Sequence, residues 1–234
     1  MTASSIKHEL ERCTARCRSM DAPLAIRLQA LADDVAALAP DFAGIVERMI
    51  GQLRATEAGR GAPRPGEPMP AFLLPDQDSR LVSLDTLLAN GPVVISFHRG
   101  GWCPYCRINA DALARLSPSV AAGGARIIAI TPEVAEFNAE LRSDVKADFP
   151  ILTDLDNGYA LEVGVAFKVP DEKRRAMIAS GWDISLSQAN DAWVLPMPAT
   201  FVVGRDGIVL ERYIDPDYRK RATHEAILAA LPNQ

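Results

Sequence analysis

Apolar residues in the first quarter of the chain recur at helical intervals: Leu24, Leu28, Leu31, Val35 and Leu38, then Phe42, Ile45, Val46, Met49, Ile50 and Leu53. Residues three and four apart share one helix face, so the spacing predicts a helical segment from Ser4 to Thr56, broken at Pro23 and Pro40. The stretch from Glu57 to Pro70, EAGRGAPRPGEPMP, is crowded with Gly and Pro and offers little to bury. It suits neither a helix interior nor a central strand and reads as a linker. The chain therefore divides into a helical extension with its linker, 1–62, and a main domain, 63–234, the extension forming a packing unit of its own.

Beyond Pro70 the period changes. Val93 to Phe97 (VVISF) and Ile127 to Ile130 (IIAI) are unbroken apolar runs, as parallel strands buried on both faces require. Between them Cys103 to Val120 offers Ile108, Leu113 and Leu116 for a buried helical stripe, which makes a β-α-β unit. Glu133 to Lys146 reads as a helix, Ile151 and Leu152 as a short strand, and Asn157 to Val163 as a further helical turn or two. Thr200 to Val203 and Ile208 to Tyr213 flank Arg205-Asp206-Gly207, whose Asp-Gly pair is a hairpin signal, and Thr223 to Leu231 closes the chain as a helix. Strands alternating with helices give an α/β fold class with a helical N-terminal extension.

Composition narrows the functions available. The 234 residues carry 25 Lys and Arg against 30 Asp and Glu, a formal charge of -5, so there is no broad positive field for a nucleic-acid backbone. Charges interrupt every apolar run before it reaches the roughly 20 residues that span a bilayer. The N-terminus, MTASSIKHELERC, has no apolar stretch after its basic residue, which argues against a secretory signal and for a cytoplasmic location. No nucleic-acid or membrane partner is expected. Four cysteines are too few to staple a secreted scaffold of this size, and in a reducing compartment they read as redox or metal chemistry.

The informative segment is FHRGGWCPYC, Phe97 to Cys106, where a buried strand turns through two glycines into a helix. Cys103 falls in the first helical turn, where unpaired N–H groups and the helix dipole favour a thiolate, and Pro104 suits the same turn because its missing N–H needs no partner there. Two intervening residues put both sulfurs on one side of that turn, close enough for a Cys103–Cys106 disulfide. Arg99 adds a fixed positive charge beside them, to stabilise a thiolate or orient a peroxide. Zinc would need two further ligands, and His8, His98 and His224 are scattered, while Cys13 and Cys17 have the wrong spacing for a knuckle. No metal or organic cofactor is called for.

Other residues carry weaker signals. Cys13 and Cys17, four apart on a helix face, read as small buried residues or spectators sooner than as a second redox pair. Trp102 and Tyr105 bracket the cysteines as an apolar platform or as core. His98 is either a proton donor or a satisfied buried side chain. The run Asp171 to Arg175, in an insertion before Pro198, reads as a solvated helix face without a catalytic role.

From about Gly66 to Leu231 the chain resembles the alkyl hydroperoxide reductase and thiol-specific antioxidant family, the peroxiredoxins of the thioredoxin superfamily. The resemblance rests on GEPMPAFLLPDQDSRLVSL, FHRGGWCPYCR, LPMPATFVV and the DYRKR of Asp217 to Arg221. It implies a thioredoxin-like fold, a central mixed sheet flanked by helices, and in that fold a proline before the third core strand is often cis and faces the cysteine pair. Met197-Pro198 is the candidate, with Thr200 and Trp102 as supporting residues. Laying the family's P-x3-T/S-x2-C on Cys106 puts its threonine at Cys103 and its proline at Arg99; laying it on Cys103 gives Gly100 and Ser96, a poorer match. That favours Cys106 as the peroxidatic equivalent. Thioredoxin logic favours the first cysteine, Cys103, as the more exposed and better ionised attacker, and on balance Cys103 is expected to meet the oxidant. The family's second active-site arginine, expected just before the late strand, is replaced by Pro198.

The resemblance implies a thiol-dependent peroxidase in which one cysteine is oxidised, the other condenses with it, and a thioredoxin-like or other dithiol reduces the disulfide. Peroxiredoxins commonly dimerise, so a homodimer is among the implied partners. A protein disulfide reductase, or a redox-sensing binding module, remains open as an alternative.

Overall fold

The computed structural model describes residues 3–232; Met1, Thr2, Asn233 and Gln234, at the ends of the two sequence units, lie outside the described residues. The extension forms three helices, α1 (Ala3–Ser19), α2 (Leu24–Leu38) and α3 (Pro40–Ala55). Pro23 sits at the N-cap of α2 and Pro40 opens α3, so both breaks fall where the prolines place them.

The main domain follows as β1 (Leu73–Pro75), β2 (Leu81–Ser83), α4 (Leu84–Leu88), β3 (Val93–Phe97), α5 (Pro104–Ala122), β4 (Arg126–Thr131), α6 (Ala135–Asp144), β5 (Ile151–Thr153) and α7 (Gly158–Glu162). It continues through β6 (Ala166–Lys168), α8 (Asp171–Ala179), α9 (Ser185–Gln188), β7 (Val194–Pro196), β8 (Ala199–Val203), β9 (Val209–Ile214) and α10 (His224–Ala229). The central sheet has the order β5-β4-β3-β8-β9, with β3, β4 and β5 parallel and β8 and β9 antiparallel to their neighbours. This is the mixed sheet of a thioredoxin-like fold. The hairpin β1–β2 and the pair β6–β7 lie outside it and were not foreseen from the sequence, because three-residue strands carry almost no periodic signal.

Alternation along β3 divides the core. Val93, Ile95 and Phe97 pack on one face with Phe201, Val203, Leu84 and Tyr159, and Val94 packs on the other with Leu113, Leu116 and Val120 of α5. The linker is tied down too: Gly66 N–H donates to the Val209 carbonyl and Val209 N–H to that of Glu67, both at 2.9 Å. The edge strand β9 is thereby covered.

The extension does not form a packing unit of its own, as the sequence led us to expect. α5 is apolar on two faces: while Leu113 and Leu116 meet the sheet, Tyr105, Ile108 and Ala112 join Cys17, Leu28, Leu31, Met49 and Ile50 in one buried cluster with Cys103 and Cys106. A buried ion pair, Arg27 to Asp111 at 2.8 Å, fixes α2 on α5. The physical reason is area. A helix with two apolar faces needs cover on both, and the sheet supplies only one.

Candidate active site

The cysteines stand where β3 ends and α5 begins. The chain leaves Phe97, makes a turn at Gly100 with φ +128, and reaches Cys103 as the N-cap of α5, with Pro104 at the first helical position and Cys106 one turn in. Gly100 is required: a Cβ there would lie 2.6 Å from Glu133 Cδ and 2.8 Å from Trp102 Nε1. All four cysteines are free thiols, and both Cys103 and Cys106 are wholly buried.

Three groups converge on Cys106 Sγ. The backbone N–H of Arg99 donates to it at 3.3 Å, Arg221 Nη2 approaches to 3.7 Å, and the Cys103 thiol hydrogen-bonds to it. Burial alone pushes the Cys106 thiol up, but the Cys103 hydrogen bond, the charges of Arg221 and Arg99 and the Arg99 N–H outweigh it and hold the thiol well below its ordinary value. Cys103 goes the other way. Burial and its donated bond to Cys106 drive it up, against the pull of Arg99, whose Nη2 lies 2.8 Å from Cys103 Sγ. The balance of burial, hydrogen bonds and charges thus favours the thiolate at Cys106 over Cys103.

This corrects the expectation at Cys103. Its supposed greater exposure is absent, since neither sulfur reaches solvent, and the thiol-lowering anticipated there is found one turn further on. A helix N-terminus offers several N–H groups, but here the deciding positive charges come from elsewhere in the fold. The place of the missing strand arginine is taken by Arg221, between β9 and α10, held by the carbonyls of Tyr218 and Lys220. Its segment is anchored by Arg219, which binds Asp217 at 2.7 Å and Glu47 of α3 at 2.6 Å. DYRKR was visible in the sequence, but nothing in it showed which of its three cations turns inward.

Arg99 is buried, with its guanidinium carbon 3.5 Å above the Tyr218 ring and 5.2 Å from that of Trp102. Tyr218 in turn meets Tyr105 edge-on at 5.4 Å. Trp102 is half-buried and Tyr105 buried, both packed in the apolar cluster that includes the two cysteines.

His98 is buried and accepts from Asn109 Nδ2 at 3.2 Å, with Ser96 Oγ at 2.9 Å. Burial, then the charge of Arg221, pushes its imidazole down to about 3. It is neutral at ordinary pH and no imidazolium proton donor; it is buried, and only its Nε2 is hydrogen-bonded, Nδ1 having no partner among the described residues. The buried acid near the pair is Glu133, which sequence reasoning treated only as a helix start. Its carboxylate accepts the Gly101 N–H at 2.6 Å, and burial pushes it up to about 7. Thr131, Asn138 and Thr153 hold its backbone through a chain of buried hydrogen bonds.

Three further expectations need correction. No peptide bond among the described residues is cis, so Met197-Pro198 is trans; the segment is tied by the Met197 N–H to the carbonyl of Val165, just before β6, at 2.7 Å. Thr200 pairs with Ser96 across β8 and β3, and among the described residues its side chain bonds neither sulfur. Asp171 to Arg175 is not simply a solvated face either: it opens α8, and Lys173 is only 3% exposed, its ammonium 3.4 Å above the Phe42 ring. A run of charges hides this because a single inward position on a helix leaves no periodic trace. Among the described residues no group of three or more His, Cys, Asp or Glu could hold a metal, and no helix is long and apolar enough to cross a membrane.

A thioredoxin-like sheet presenting a buried dithiol, with the Arg99 guanidinium on Cys103 and that of Arg221 near Cys106, has the make-up of a redox-active thiol protein. Comparison with known sequences places it further: the AhpC/TSA family profile matches residues 65–212, and the chain belongs to that family. A chloroplastic peroxiredoxin Q of Oryza sativa subsp. japonica is 33% identical over 100 residues, 43% of this chain and 46% of that protein. A putative peroxiredoxin of Mycobacterium tuberculosis is 29% identical over 100 residues, covering 43% of this chain and 65% of that one. Both relatives are thus matched over less than two thirds of their length. Among solved structures, the peroxidoxin BcpB of Mycobacterium tuberculosis superposes with a TM-score of 0.57 at 23% identity, over 72% of this chain and 96% of that one, a likeness of fold. The extension, Tyr218 and Arg221 all lie outside the residues the family profile matches.

Proposed function

We propose that the protein is a thiol-dependent peroxidase in which Cys106 is the attacking sulfur and Cys103 the resolving one. The observation that carries this reading is the set of donors on Cys106 Sγ: the Arg99 N–H, Arg221 and the Cys103 thiol. The Cys106 thiolate attacks the terminal oxygen of a peroxide; the S–O bond forms as the O–O bond breaks, and with one proton taken up the products are a Cys106 sulfenic acid and an alcohol or water. The Cys103 thiol then displaces that hydroxyl as water, forming the Cys103–Cys106 disulfide, and an external thioredoxin-like or other dithiol returns both to thiols. Arg99 touches both cysteines, through its backbone N–H on Cys106 and its side chain on Cys103, and so stabilises charge on whichever sulfur carries it. A cytoplasmic setting and a homodimer accord with this reading.

The family match and the relatives, which carry the name peroxiredoxin, favour this reading over the disulfide-reductase alternative. The test is sulfenic acid trapping after hydrogen peroxide. Cys103→Ser is expected to yield a sulfenic acid at Cys106, whereas Cys106→Ser stays inert. A sulfenic acid at Cys103 alone would reverse the assignment, and none in either variant, with mixed-disulfide cleavage intact, would replace the peroxidase by a reductase.

A further inference from the structure

Beside the cysteine pair lies a cavity of about 70 Å³ whose lining comes partly from the extension, outside the family match. Leu10, Val35, Leu38 and Phe42 of the extension form one wall, and Met177 and Trp182, on and just after α8, form the other. Its floor holds Arg99, Trp102, Tyr105, Tyr218 and Lys173. None of the lining side chains is acidic.

Lys173 is the anomaly. It is 97% inaccessible by the 3% exposure of its residue, it points into an apolar cavity, and among the described residues it has no hydrogen bond and no carboxylate partner. Its ammonium instead faces the ring of Phe42 at 3.4 Å and that of Tyr218 at 6.0 Å. Arg99, buried beside it, likewise lacks a carboxylate. A buried charge of this kind is costly unless paired, and burial together with the nearby Arg99 charge pushes the Lys173 amine down to about 6. Among the described residues no carboxylate adds to the faces of Phe42 and Tyr218, which offset part of that cost. A methionine or leucine at the same place would fill the space without it.

We propose that this cavity is a binding site for an amphipathic organic monoanion, its carboxylate on Lys173 and its aliphatic tail against Leu10, Val35, Leu38, Phe42, Met177 and Trp182. The head is a monoanion because a single carboxylate, by its charge, draws the one Lys173 amine back to its ammonium form, Arg99 being largely engaged by Cys103; a phosphate would call for more donors. The tail is apolar because the walls are. The site stands independently of the peroxidase reading, since occupancy is measured on the reduced protein without turnover.

The experiment is calorimetric titration of the full-length reduced protein with octanoate, octan-1-ol and acetate, followed in parallel by quenching of the wall tryptophans. Octanoate is expected to bind about tenfold or more tightly than octan-1-ol, and acetate not measurably. Lys173→Met keeps the straight stem and should abolish the preference for the acid over the alcohol. Val35→Glu, at a half-buried wall position, should weaken octanoate about tenfold or more and serves if the first variant fails to fold. Equal binding of acid and alcohol would overturn the proposal, as would octanoate binding undiminished in a folded variant, or none below its micellar range.

Discussion

Arg221→Met removes the charge nearest to Cys106 while keeping an apolar stem in place. Two unit charges near the observed 3.7 Å interact by about 4 kcal/mol at an effective dielectric of about 20. At about 1.36 kcal/mol per pKa unit that is at most about 3 units. The charge is spread over the whole guanidinium, and Arg99 and the Cys103 thiol remain, so the expected rise in the Cys106 pKa is about 1 to 2 units. The assay is the pH dependence of the second-order rate with hydrogen peroxide by stopped flow, since only the thiolate attacks. The profile should move to higher pH by that amount, with the rate at its alkaline plateau largely kept. Arg221→Lys should recover part of the shift, which separates charge from packing, and Lys220→Ala, at an exposed neighbour, should leave the profile in place. A profile for Arg221→Met within about 0.3 units of the parent protein, well inside the expected shift, would refute the electrostatic account of Cys106.

Two other outcomes follow from the site. Because burial raises the Glu133 pKa in the fold to about 7, above that of the unfolded chain, its contribution is fully present below the unfolded value and is lost as pH rises through about 7. Glu133→Gln keeps an acceptor for the Gly101 N–H, so urea unfolding from pH 4 to 8 should show the parent losing on the order of 3 kcal/mol relative to this variant, and a constant difference would count against the shifted carboxyl. Gly100→Ala combines a left-handed φ with a Cβ driven to 2.6 Å from Glu133 Cδ. It should cost about 2 to 4 kcal/mol in thermal or denaturant unfolding, whereas Gly101→Ala, whose added Cβ would meet Leu141 at 3.4 Å, should cost clearly less; equal losses would deny the turn its special role.

Local signals carried most of the fold. The runs VVISF and IIAI, the β-α-β unit between them, the Asp-Gly hairpin and the proline-broken helices of the extension all lie where pattern and turn chemistry put them, because each depends on a few consecutive residues. The dithiol at the strand-to-helix turn, with Arg99 beside it, was legible for the same reason: a glycine turn, a cysteine cap and a proline at the first helical position are one contiguous device. What the chain could not reveal by itself was how distant segments settle on that device. Arg221 reaches Cys106 from 115 positions away, Glu133 accepts the Gly101 N–H from the end of another strand, and α1 to α3 cover the outer face of α5. Lys173, one cation in a run of charges, turns inward only because the extension builds a wall opposite it. Which sulfur ionises is therefore a tertiary property. The two cysteines share one helical turn in the sequence, and the difference between them is set by charges and donors that only folding brings within a few ångströms.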